Sequence, residues 1–128
     1  MRLLLDTHII LWAMTDDARL PRFARELIED DSNELYFSAI SVAEISIKHQ
    51  NHPEDMPFSG EDAREAFVRA GYREMPFEAS YVLSLDKLPR YHRDPFDRML
   101  LAQADSEGMK IVSHDNRFPA YGDFVISV

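Results

Sequence analysis

Apolar and polar positions fall along this chain in blocks whose lengths suit short strands and medium helices. Leu3-Leu4-Leu5 is a continuous apolar run, the pattern of a strand covered on both faces. Ile9 to Met14 predicts a turn or two of helix directly after it. From Pro21 to about Asp31, Phe23, Ala24, Leu27 and Ile28 recur on one helical face. Leu35-Tyr36-Phe37-Ser38-Ala39 predicts a second strand, and Ser41 a helix running to about Gln50. Pro53 and Pro57 make the following segment a loop. Ser59 is a suitable N-cap for a helix that Gly71 ends. Tyr72 to Met75 predicts a short strand stopped by Pro76, Glu78 to Leu85 a short helix, and Asp86 to Arg93 a polar, basic loop. The strongest helical signal follows: Asp94 as cap, Pro95 at the first position, an apolar face of Phe96, Met99, Leu100 and Ala104, and Gly108 just past the end. Lys110 to Ser113 and Phe124 to Val128 read as the closing strands.

Strands alternating with helices over 128 residues predict one domain spanning 1–128, an α/β sandwich around a mostly parallel sheet. Its crossovers should be right-handed. In such sheets ligands bind outside the carboxyl ends of the strands, which directs attention to the residues just after each strand.

Composition narrows the field. Hydrophobic residues make up 45% of the chain, enough for a packed core. There is no cysteine, which excludes disulfides and thiolate metal sites and fits a reducing cytosol. No apolar stretch approaches the roughly 20 residues of a membrane span. The brief apolar run ending at Asp6 is expected to be a strand rather than a signal peptide. A cytoplasmic protein without membrane attachment is therefore expected. The formal net charge of −9 argues against a nucleic-acid partner, because phosphates attract Lys and Arg. That argument weakens if several acids surround a divalent cation.

Four acids are placed for this. Asp6 directly follows the first strand, and Asp115 follows the Lys110–Ser113 strand by two positions. Glu44 is expected in the first turn of the helix that Ser41 begins after the second strand, and the N-terminus of that helix points to the same sheet edge. Asp97 lies in the first turn of the Asp94-Pro95 helix, although alternation alone does not place that helix start. Like charges about 4 Å apart cost roughly 1 kcal/mol in water and about 4 kcal/mol at an effective dielectric of 20. Such a cluster must raise its pKa values or hold a cation. All-oxygen ligation suits Mg²⁺ or Mn²⁺, and phosphodiester hydrolysis is the natural chemistry of that site. Each acid also has an ordinary structural reading. Ser41-x-x-Glu44 is a capping box, the helix dipole favours Asp97, and Asp115 could turn the chain. Asp6, immediately after a buried strand, is the hardest to explain so.

These residues resemble the motifs of a known family. Leu3-Leu4-Leu5-Asp6-Thr7-His8 is similar to the opening of PIN-domain nucleases, in particular VapC-like toxins. Ser38-Ala39-Ile40-Ser41-Val42-Ala43-Glu44-Ile45 resembles their second motif. The segment from His92 to Ala104 resembles the third and is the most specific, and Ser113-His114-Asp115-Asn116-Arg117-Phe118 the fourth. The resemblance implies a three-layer α/β/α sandwich and a Mg²⁺ site made by Asp6, Glu44, Asp97 and Asp115. It implies accessory roles for Thr7 and Ser113 in orienting metal-bound water. It also implies cleavage of RNA, often structured RNA such as tRNA, inhibition by a cognate antitoxin, and a homodimer.

Arg90, His92, Arg93 and Arg98, with Lys87 and Tyr91, form the main concentration of cations, and they flank Asp97. They could position RNA phosphates, or form a solvated loop paired with Asp86 and Asp94. His8 and His114 adjoin two of the acids, and Trp12 has the spacing of a core residue. Two other functions compete. A phosphatase of the haloacid-dehalogenase type also places Asp after its first strand, but needs a second Asp two residues later, where His8 stands. A non-catalytic module that binds RNA or an antitoxin is the other.

Overall fold

The computed structural model describes all residues from Met1 to Val128. Its central strand is β1 (Arg2–Leu5), flanked by β2 (Glu34–Ser38) and β4 (Lys110–Ser113), with β3 (Arg73–Met75) and β5 (Val125–Ser127) at the edges. The order is β3-β2-β1-β4-β5, and every pairing is parallel. Leu3, Leu4 and Leu5 are each 0% exposed, which explains the unbroken apolar run. Successive side chains alternate across the sheet. Leu3 and Leu5 enter a core with Ile9, Ile10, Phe37, Ile45 and Phe67, while Leu4 enters another with Leu100, Leu101, Ala104, Ile111 and Phe118.

The first core is closed by α1 (Thr7–Met14), α2 (Arg22–Glu29), α3 (Ala39–Asn51) and α4 (Gly60–Arg69). The second is closed by α6 (Pro95–Ser106) and the residues around a 3-10 turn at Pro119–Tyr121, and α5 (Ala79–Leu85) packs on α6. The result is the three-layer α/β/α sandwich. Gly71 and Gly108 follow α4 and α6 with φ of 97° and 63°, the left-handed conformation in which glycine ends a helix without strain. No helix is long and apolar enough to cross a membrane.

Topology locates the functional edge. The chain steps outward from β1 through β2 to β3, then returns through α5 and α6 to place β4 on the other side of β1. The direction of winding reverses between β1 and β4, so their carboxyl ends flank the crevice where such sheets bind ligands. The helix α6 runs back along β4 and turns directly into it, so its N-terminus reaches the same edge. This is why alternation alone did not place Asp97.

One element boundary changes the site. The helix α3 starts at Ala39, with no linker after β2, and Ser38 is its N-cap, accepting from Ile40 N at 3.0 Å. The capping box assigned to Ser41 and Glu44 does not form. Ser41 is buried and shares a hydrogen bond with the Thr7 hydroxyl at 2.8 Å, and Glu44 lies in the second turn.

Candidate metal centre

Asp6 is the residue on which the switch point closes. It caps α1, with Oδ1 accepting from Thr7 N at 2.7 Å, while Oδ2 accepts from the Ser113 hydroxyl at 2.8 Å. Ser113 ends β4, so a single carboxylate ties the ends of the two strands on either side of the reversal. The same Ser113 oxygen accepts from Asp115 N at 3.0 Å and so shapes the turn after β4. The helix α3 carries Glu44, 2% exposed, with Lys48 one turn later donating to its Oε2 at 2.6 Å. Its other oxygen, Oε1, is buried and has no hydrogen-bond partner. At the start of α6, Asp94 accepts from Phe96 N and Asp97 N at 2.9 and 3.2 Å and sets Asp97 at the rim of the cluster.

Asp115 accepts from Arg117 three times, from its backbone N–H at 2.8 Å, Nε at 3.2 Å and Nη2 at 3.0 Å. Oδ2 of Asp115 also accepts from His92 Nε2 at 2.8 Å, and the same nitrogen lies 3.0 Å from Asp97 Oδ2. A carboxylate offers about four lone-pair positions. Those of Asp115 are therefore filled by protein donors, and direct ligation of an ion by Asp115 requires Arg117 to withdraw. Arg117 can do so, since its side chain is 56% exposed.

The acids differ in their electrostatics. Burial pushes Asp97 up to about 8, and repulsion from Asp6, Asp94, Glu44 and Asp115 adds to it. Burial likewise pushes Asp6 up to about 6; the Ser113 bond and His8 oppose this, and Glu44 reinforces it. Asp115 behaves oppositely: burial would raise it, but the bonds from Arg117 and His92 hold it at about 2. Lys48 is raised in spite of burial, by its bond to Glu44 and the field of Asp94 and Asp97. Asp6 and Asp97 are thus held with less counter-charge than they need, an arrangement characteristic of functional sites. The donor set fits a divalent hard cation: carboxylate oxygens only, one of them, Glu44 Oε1, buried and unpartnered.

The cationic segment divides. Arg90 and Arg93 are exposed and, with Arg98 and His92, line a cleft of about 420 Å³. Arg98 is half-buried and donates to Leu85 O and Leu88 O at 3.5 and 3.3 Å, bracing the end of α5. His92, grouped by sequence with the phosphate-contacting cations, is 1% exposed and turned onto the carboxylates. The loop before it folds inward because the Tyr121 hydroxyl accepts from His92 N at 2.9 Å and donates to Pro89 O at 2.8 Å. His8 and His114 are exposed and flank a half-buried Trp12, with ring centroids 5.8 and 5.9 Å away. The sequence signals for the roles of Lys48 and Arg117 are slight: the i,i+4 spacing of Glu44–Lys48, that of a helical ion pair, and the place of Arg117 within the fourth motif.

The PIN domain family model matches residues 3–123. No curated protein matched the sequence. Among solved structures, the chain is similar to VapBC2 from Rickettsia felis bound to a DNA fragment from its promoter, at TM-score 0.72 and 16% identity over 100% of this chain and 98% of that one. It is similar to DNA-bound VapBC from Salmonella typhimurium at TM-score 0.70 and 16% identity, covering 99% of this chain and 98% of that one. It also resembles FitAcB from Neisseria gonorrhoeae at TM-score 0.65 and 18% identity, covering 98% and 96%. The structural likeness is one of fold, and the sequence model spans all four acidic positions. On these grounds the chain belongs to the PIN domain family.

Proposed function

We propose that this chain is a Mg²⁺-dependent endoribonuclease and the toxin half of a toxin–antitoxin pair, with Mn²⁺ able to replace Mg²⁺. The observation that carries the reading is Glu44 Oε1, a carboxylate oxygen buried without a partner, on a side chain whose charge acts on Asp6 and Asp97. A buried, unpaired acceptor of this kind is costly unless something fills its place. Family membership supports nuclease chemistry, and the solved relatives named VapBC and FitAcB support the toxin assignment.

In this reading Asp6, Glu44 and Asp97 hold the ion directly. Asp115 joins them through water, or directly once Arg117 has moved to a substrate phosphate. When bound, the ion supplies an activated water and neutralises charge on the phosphodiester being cleaved. Ser113 fixes the rotamer of Asp6, and Thr7, bonded to Ser41, fixes the spacing of α1 and α3. Arg90 and Arg93 stand where an RNA backbone would approach, and structured RNA such as tRNA is the substrate class. A cognate antitoxin, a homodimer and a cytoplasmic location accompany the assignment. The phosphatase alternative lacks its general acid at His8.

Incubating the purified protein with total tRNA in Mg²⁺ or in EDTA tests the reading. Cleavage in Mg²⁺ alone, lost in Asp6→Asn, is expected. Release of phosphate from small monoesters without RNA cleavage would replace this reading with the phosphatase, and RNA binding without cleavage would replace it with the non-catalytic module.

A further inference from the structure

We infer that His92 is a positioning residue of the centre: its Nε2–H donates to Asp115 while the same ring nitrogen stands against Asp97, and so it sets the spacing of the third and fourth acidic motifs without itself ligating the ion. The inference rests on the reading of the cluster as a metal site.

The argument begins at the other ring nitrogen. Asp94 N donates to His92 Nδ1 at 3.1 Å, and a backbone amide can only donate. Nδ1 must therefore carry a lone pair, and the ring's N–H is on Nε2. That nitrogen faces Asp115 Oδ2 at 2.8 Å and Asp97 Oδ2 at 3.0 Å, both acceptors. Ligation through Nε2 would move the proton to Nδ1, against the Asp94 amide, and would remove the donor from Asp115. Although His92, Asp97 and Asp115 are close enough together to resemble a three-ligand site, the hydrogen-bond directions assign the imidazole to the carboxylates.

The ring is also held too firmly to serve as a mobile group. Its side chain is 0% exposed, its backbone N–H is fixed by Tyr121, and its ring lies nearly perpendicular to that of Phe118 with centroids 5.5 Å apart. Phe118 and Tyr121 belong to the connection after Asp115, whereas Asp94 begins the helix that carries Asp97. His92 thus joins two segments brought to the sheet edge by different elements. A clamp of this kind turns Oδ2 of each carboxylate toward the ring and leaves Oδ1 of Asp97 for the ion, while Oδ1 of Asp115 stays with Arg117.

Two measurements decide it. In the ¹⁵N-labelled full-length protein, the two-bond proton–nitrogen pattern of the His92 ring reports which nitrogen is protonated. The Nε2–H form is expected both in EDTA and in saturating Mg²⁺. Transfer of the proton to Nδ1 on adding Mg²⁺ would make His92 a ligand and overturn the proposal. Mn²⁺ affinity, followed by electron paramagnetic resonance, is expected to fall about 10–100-fold in His92→Phe, which keeps the ring and loses the donor. It should recover largely in His92→Gln, which restores an N–H near the Nε2 position. Equal Mn²⁺ affinity in folded His92→Phe and wild type would overturn the clamp. A wild-type protein that binds no Mn²⁺ would overturn the metal reading itself.

Discussion

Asp97 concentrates the cost of the cluster in one side chain. Burial and four neighbouring carboxylates push its pKa up to about 8, so the folded protein keeps a proton there that the unfolded chain releases near pH 4. Stability without metal must then fall as pH rises between those values, since the folded state binds more protons throughout the window. Asp97→Asn removes that dependence. In EDTA at pH 8 the variant should be more stable to urea than wild type, on the order of 2 kcal/mol, and at pH 4.5 the two should nearly coincide. A variant no more stable at pH 8 would mean that the acids are not in electrostatic contact. Residues differ in how far sequence reveals them. Asp6 and Asp115 could be assigned to one edge because each follows a parallel strand within two positions. His92 could not, because its burial depends on Phe118 and Tyr121 much later in the chain, and no local pattern distinguishes a loop histidine turned inward from one facing water.

Among the elements, α6 does the most to present an acid. Asp94 accepts two amide hydrogens at its start, and Pro95 sets the backbone of the first turn. Asp94→Ala should cost about 0.5–2 kcal/mol of stability by thermal or chemical denaturation. It should reduce cleavage by more than that loss of folded protein explains, because Asp97 rides on the same turn. A drop in stability with normal cleavage by the folded fraction would separate the cap from the site. The elements of α3 show where periodicity fails. Ser38 and Ser41 are both good caps, and local sequence cannot choose between them. The sheet chooses, because the register Ser38↔Met75 extends β2 to Ser38 and leaves Ser41 inside the helix. The main elements, by contrast, were legible, since central strands need long apolar runs and helix ends need Asp, Pro and Gly.

For the molecule as a whole, a net charge of −9 has to be reconciled with the RNA substrate proposed above. Part of that charge lies in the four acids that a divalent ion would offset, and Arg90 and Arg93 present exposed cations beside them. Long-range attraction should then be weak, and capture should depend on this small patch. Arg93→Glu, at an exposed position, should leave the fold intact by circular dichroism and lower kcat/KM for tRNA cleavage by on the order of tenfold, through lost phosphate contact. Unchanged cleavage would remove the patch from the account.

The central claim, that Asp6, Glu44 and Asp97 jointly hold a divalent ion, is tested most directly by anomalous diffraction from crystals grown with Mn²⁺. An anomalous peak at coordination distance from those three carboxylates, with Glu44 Oε1 among its ligands, is the result expected. A map with no peak there, or with Mn²⁺ only on the exposed His52, Glu54 and Asp55 group, would contradict it.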